Sequence, residues 1–313
     1  MYFTLQRVQR ICHDLESLIR QNPVMVNTLQ WQKGFFMKPA DADGGSWQPF
    51  HAGDRWGSYD GHAWFRADVT IPADHAGRKV ILDVSVDKEN WFADSRQFLL
   101  FVDGQLRQGM DVNHRRSVLS EQATPGTVYR IDLQAYAGLI EKPTELYLQL
   151  MTEDEAVKKM YYDLHVPCQV AGDLPDGSKT RLDILDRLNQ AINLIDMRKP
   201  GSDAFYRSLE QAGEYLETHF YAELCGHEDY TAVSVGHTHI DVAWLWTLAQ
   251  TRQKTARSFS TVLRMMEEHP EYVFMSSQPQ LYQFLKQDYP DLYEKVRRSQ
   301  EHTSELQSLS HLV

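Results

Sequence analysis

The sequence predicts a mixed β and α/β chain: an N-terminal β-sandwich of jelly-roll type, a helical linker, and the start of a (β/α) domain. Three observations carry this reading. Short apolar strands alternate with turn residues from Trp31 to about Pro167, helical periodicity replaces them between Asp176 and Tyr221, and after Gly226 the order becomes strand, loop, helix, strand, helix. A chain of 313 residues, 42% hydrophobic and 24% charged, has the apolar content for a large core and suits about two domains at roughly 100–200 residues each.

The elements follow in order. Ile11, Leu15, Leu18 and Ile19 recur at helical spacing, so residues 4–21 are expected to form a short amphipathic helix that stops at Asn22-Pro23; residues 1–30 are read as this helix and a lead-in. The sandwich is placed at 31–170. Its strands are expected around Trp64-Phe65-Arg66-Ala67-Asp68-Val69, Val80-Ile81-Leu82-Asp83-Val84, Phe98-Leu99-Leu100-Phe101-Val102, Val128-Tyr129-Arg130-Ile131 and Leu146-Tyr147-Leu148-Gln149-Leu150, with a turn at Asp103-Gly104. The linker is placed at 171–225, where Leu182, Leu185, Leu188, Ile192 and Ile195 share one helical face after Asp176-Gly177-Ser178 and a second helix covers 203–221. Residues 226–298 are read as the opening of an α/β domain. They comprise a buried strand at Thr231-Ala232-Val233-Ser234-Val235, a helix over 244–268, a strand over 272–276 and a helix over 279–286.

Composition narrows the partners. The 32 Lys and Arg residues against 43 Asp and Glu give a net charge of −11, which argues against binding to nucleic acid or anionic membranes. No run approaches the roughly 20 apolar residues that span a bilayer, and the first 20 residues lack the apolar stretch of a signal peptide. Cys12, Cys168 and Cys225 lie far apart without CxxC spacing, and any pairing leaves one over, which is the usage of a reducing cytoplasm. The expectation is a soluble cytoplasmic protein; homo-oligomers are left open.

The chemistry concentrates at Gly236-His237-Thr238-His239-Ile240-Asp241. In an extended segment alternate side chains point the same way, so His237, His239 and Asp241 converge, and imidazole with carboxylate suits zinc. The blander reading satisfies these polar groups within a strand-to-loop turn. Trp244 and Trp246 follow closely; flat rings of this kind cover the C–H face of a sugar, though Trp246 reads better as core. His62, His114 and His227 have no ligand-like neighbour at short spacing and read as structural, as Asp87 and Asp103 read as strand-edge or turn residues.

Three ordered blocks then carry a resemblance: Gly236-His237-Thr238-His239-Ile240-Asp241-Val242-Ala243-Trp244-Leu245-Trp246, Thr255-Ala256-Arg257-Ser258-Phe259-Ser260, and Ser276-Ser277-Gln278-Pro279-Gln280-Leu281-Tyr282. Together they resemble the start of the catalytic domain of glycoside hydrolase family 38 α-mannosidases. Trp56-Gly57, Trp64-Phe65, Phe101-Val102-Asp103-Gly104 and Gly109-Met110-Asp111-Val112-Asn113-His114 resemble the β-sandwich that precedes it in the cytosolic, vacuolar and bacterial branch. The resemblance implies a zinc-dependent, retaining exo-α-mannosidase acting on mannose-containing oligosaccharides. It assigns His239 and Asp241 as two zinc ligands and Trp244 as the ring beneath the bound mannose, and leaves His237 to orient the site from behind the ligands.

The same resemblance places the catalytic nucleophile, the acid/base and the further metal ligands beyond the last residue. Residues 299–313, with Glu301-His302-Thr303-Ser304-Glu305-Leu306, are unlike the family and read as an artefactual tail. The 313-residue chain is accordingly expected to be an inactive truncation with no catalytic residue of its own. Two other readings are kept: a metal-dependent amidohydrolase, which explains His237 and His239 but not Trp244, and a non-catalytic carbohydrate-binding sandwich displaying Trp56 and Trp64.

Overall fold

The computed structural model describes residues 3–86, 96–139, 141–227 and 231–301. Eleven described strands build the expected sandwich: β1 (Arg20–Met25), β2 (Thr28–Lys33), β3 (Gln48–His51), β4 (Arg55–Trp56), β5 (His62–Thr70), β6 (Lys79–Val86), β7 (Gln97–Val102), β8 (Gln105–Met110), β9 (Arg116–Ser120), β10 (Val128–Tyr136) and β11 (Thr144–Glu153). One antiparallel sheet runs β1-β11-β6-β9 with β4 also on β11, and the other runs β3-β2-β5-β10-β7-β8. The period of two along each strand decides what is buried where. Leu146, Leu148 and Leu150 of β11 meet Phe65, Phe98 and Leu100 between the sheets, while Trp64, Leu99 and Phe101 point out of the second sheet into a separate apolar cluster.

The edges of the sandwich differ from expectation. It begins at Arg20, not Trp31, because β1 pairs with β11 and β2 with β5; Asn22-Pro23 forms a register shift on the edge strand instead of a helix stop. Proline is tolerated there because an edge strand need not use every N–H. The sandwich also closes at Glu153, short of residue 170. Residues beyond it form α2 (Glu155–Asp173), which starts on the Asp154 cap and carries Pro167 in its interior. Read from sequence, Pro167 marks a boundary; in the helix its cost of about 3 kcal/mol is offset by burial among apolar neighbours.

The linker is larger than expected for the same reason. α1 (Thr4–Ile19) packs Val8, Cys12, Leu15 and Ile19 against α2, α3 (Lys179–Leu194) and α4 (Asp203–Leu216), so the N-terminal helix is part of the helical layer rather than a lead-in. α4 runs on through a wide turn at Glu217–Tyr221 into α5 (Ala222–Leu224). No helix among the described residues is long and apolar enough to cross a membrane.

The final part is a small parallel βαβ arrangement. β12 (Gly236–His237) pairs with β13 (Phe274–Met275), α6 (Leu248–Glu268) connects them, and α7 (Pro279–Asp288) and α8 (Pro290–Glu301) follow. The buried strand expected at 231–235 does not form: Val233 is 79% exposed, and pairing begins only at Gly236. Asp87 and residues 302–313 of the expected tail lie outside the described residues, whereas 299–301 continue α8. Phe259, Leu281 and Leu285 cover Trp64, Leu99 and Phe101. Trp64 is fully buried there and Trp56 is 2% exposed between the sheets, so neither is displayed for glycan.

A close approach of these two parts is at Gly109. A Cβ on this residue would stand 2.5 Å from the Arg257 carbonyl oxygen, and its own carbonyl accepts the Thr261 hydroxyl at 3.1 Å. Gly109→Ala is therefore expected to destabilise the protein by about 1–3 kcal/mol through overpacking. Thermal melts measure this, and a variant as stable as the parent would contradict the contact.

Candidate active site

The loop after β12 is held by its backbone, leaving its side chains free. Gln278 donates from Nε2 to the Ile240 carbonyl at 2.8 Å and accepts the Ile240 N–H at Oε1 at 2.9 Å, replacing a neighbouring strand at this point. Ile240 is buried, so the residues on either side of it, His239 and Asp241, turn outward. At the start of the loop glycine lets the Tyr272 ring lie against the backbone: a Cβ at Gly236 would stand 2.3 Å from the Tyr272 hydroxyl and displace that side chain.

The next turn is strained and pinned. Ala243 takes φ +68°, a conformation costing a non-glycine residue about 1–2 kcal/mol. Thr251, fully buried on α6, accepts the Ala243 N–H and the Trp246 Nε1–H, both at 3.1 Å. Neither Gln278 nor Thr251 stood out in the sequence as a functional residue, although Gln278 lies in a quoted block; a side chain that bonds to backbone leaves no spacing signature.

Of the predicted site residues, the structure brings His239 and Asp241 together, with Nε2 and Oδ1 3.0 Å apart. Both are substantially exposed. Trp244 is 65% exposed and meets Trp246 edge to face at 5.5 Å, while Trp246 is partly buried with Lys254 Nζ 4.4 Å above its ring. His237, two residues before His239, is exposed. Among the described residues no group of three or more His, Cys, Asp and Glu side chains is placed to hold a metal ion, so His239 and Asp241 stand as a two-donor pair.

His237 and His239 border a cavity of about 430 Å³ between the sandwich and α6. Its far wall comes from the loop after β8, through Asp111 and His114, and its floor from Lys254 and Arg257. His114, read from sequence as a structural histidine without a ligand-like neighbour, donates from Nδ1 to Asp111 Oδ1 at 3.1 Å; the partner three residues away was in the sequence, but its place beside the loop at 237–241 was not. Hydrogen bonding to Asp111 holds the His114 imidazole above its usual pKa. Burial would raise the Asp111 carboxyl, yet its bonds from the His114 ring and the backbone of residues 113 and 114 hold it below the usual range. Burial pushes the Lys254 amine down to about 8, assisted by Arg257, and the Arg257 guanidinium down to about 10. His62 and His227 lie elsewhere, bonded to Gln253 and the Glu223 carbonyl.

Residues 229–304 match the glycosyl hydrolases family 38 N-terminal domain, and residues 24–139 match the alpha-mannosidase jelly roll domain. Alpha-mannosidase 2C1 of Mus musculus is 28% identical over 271 residues, covering 80% of this chain and 25% of that protein. The alpha-mannosidase of Saccharomyces cerevisiae is 33% identical over 147 residues, covering 46% of this chain and 14% of that protein. Among solved structures, Ruminococcus gnavus beta-glucuronidase matches 44% of this chain and 30% of its own, at 12% identity and a TM-score of 0.30. The chain spans about a quarter of the length of the mouse and human relatives. A match to the α-mannosidase jelly-roll domain is thus followed along the chain by a match to the family 38 N-terminal domain, and the second match contains the His239–Asp241 loop.

Proposed function

We propose that this chain builds one side of a zinc-dependent α-mannosidase active site, with Trp244 as the platform for the mannose ring and His239 and Asp241 as two metal donors. The observation that carries it is the His239–Asp241 pair beside an exposed tryptophan, within the segment matching the family 38 domain. The donor chemistry fits: tetrahedral ligands at ~2.0–2.1 Å from zinc stand about 3.3 Å apart, close to the 3.0 Å seen here. Zinc, when bound, would supply an electrophile for sugar hydroxyls. His237 sits one alternate position earlier and is assigned an orienting role.

The chain's own residues then bind and orient. Trp244 offers an apolar face to the sugar C–H groups, and its edge contact with Trp246 fixes the ring. Retention at the anomeric carbon requires two carboxylates about 5–5.5 Å apart. Among the described residues Asp111 is the one carboxylate in the cavity wall, which supports binding rather than bond cleavage as the contribution of this chain. Mannose-containing oligosaccharides are the proposed substrates, and three unpaired cysteines suit a cytoplasmic setting.

Four outcomes test this. The enzyme carrying this chain should cleave an aryl α-mannoside and lose that activity on chelation; undiminished activity after metal stripping rules out the zinc. Elemental analysis should show zinc lost from His239→Ala and Asp241→Ala, with a smaller effect for His237→Ala. Trp244→Ala should raise KM by about tenfold, on the scale of a lost aromatic contact. Gln278→Ala should weaken zinc binding by roughly 10- to 100-fold although Gln278 is no ligand, and an unchanged affinity would show that the loop does not need it.

A further inference from the structure

Arg257 is 8% exposed and reaches the cavity from α6, where its guanidinium donates to Gln97 Oε1. Among the described residues it forms no ion pair, and neither does Lys254, three residues before it on the same helical face. The one carboxylate in the wall is already engaged: Asp111 Oδ1 accepts from the backbone N–H groups of Asn113 and His114 and pairs with the His114 ring. Asp111 attracts both cations across the cavity without pairing with either; a buried guanidinium lacking a direct ion pair among the described residues is costly, and an incoming anion offsets that cost. The planar fork of arginine matches the oxygens of phosphate or carboxylate two at a time, and a neighbouring ammonium adds a point charge. Hydroxyls of a neutral sugar would leave both charges uncompensated.

We propose that this cavity is an oxyanion subsite, in which Arg257 and Lys254 together bind a phosphate or carboxylate group. Taken with the mannosidase reading on which this substrate assignment rests, the subsite selects α-mannosides that carry an acidic group next to the mannosyl unit. The cavity of about 430 Å³ has room for such a group, and His237 and His239 on its rim place it beside the metal pair. Hydrogen bonds from its own loop, including that of the His114 ring, engage Asp111 Oδ1.

Calorimetric titration of the metal-stripped chain tests the subsite without any catalysis. Inorganic phosphate at low ionic strength should bind saturably at one site, and a parallel titration with lactate separates a phosphate from a carboxylate specificity; binding of either supports the proposal. Lys254→Gln, at a partly exposed position, should weaken that binding by about tenfold, and Arg257→Gln by at least as much. Should Arg257→Gln fail to fold by circular dichroism, Lys254→Gln decides alone. No saturable binding of either anion, or binding unchanged in Lys254→Gln, overturns the proposal. Methyl α-mannoside titrated separately addresses the sugar platform, and its failure to bind would count against the mannosidase reading while leaving the anion result intact.

Discussion

Everything at the candidate site hangs on the backbone of α6 lying against β8 with no side chain between them. Gly109 makes that approach, and from it follow the placement of Lys254 and Arg257 beneath the cavity, of Thr251 under the turn at Ala243, and of Asp111 and His114 opposite the loop that carries His239 and Asp241. A side chain here would move the helix, and with it a floor, a pin and a wall at once. The contact is also covered by apolar surface: Trp64, Leu99 and Phe101 on the outer side of the sheet meet Phe259, Leu281 and Leu285. Protein interiors transmit such displacements because they are close-packed.

The sandwich was legible because its strands obey the period of two and are separated by turn residues; the Asp103-Gly104 turn joins β7 to β8 where the sequence placed it. The helical layer was legible in α3 and α4, whose caps Ser178 and Ser202 precede clean apolar faces. Long-range partnership was not. Nothing near Val8 or Leu15 says that they share a core with Met160 and Leu188, and Pro167 mimics a boundary because its local cost is visible while its tertiary compensation is not. The run at 231–235 failed for the opposite reason: β propensity reports a fit to a pleated, half-covered surface, and Val233 has no such surface against it.

The site divides along the same line. Alternation within one extended segment was enough to bring His239 and Asp241 to one side, since that geometry is local. The cavity is assembled from a sandwich loop and a helix more than a hundred residues later, so its chemistry was invisible until both were placed. Trp56 and Trp64 show the limit from the other direction. Both were candidates for a glycan surface, and both are consumed by packing, one between the sheets and one beneath the later helices.

The position of α1 carries a consequence for synthesis. Its apolar face is completed by α2, α3 and α4, and the whole sandwich is encoded between α1 and α2. At ~5–20 residues per second, the ribosome takes about 7–27 s to pass from the end of one helix to the start of the other. For that interval α1 is made while the helices that complete its apolar face are not, and β1 waits in the same way for β11. The apolar face of α1 thus has to be kept from wrong associations until its helical neighbours emerge.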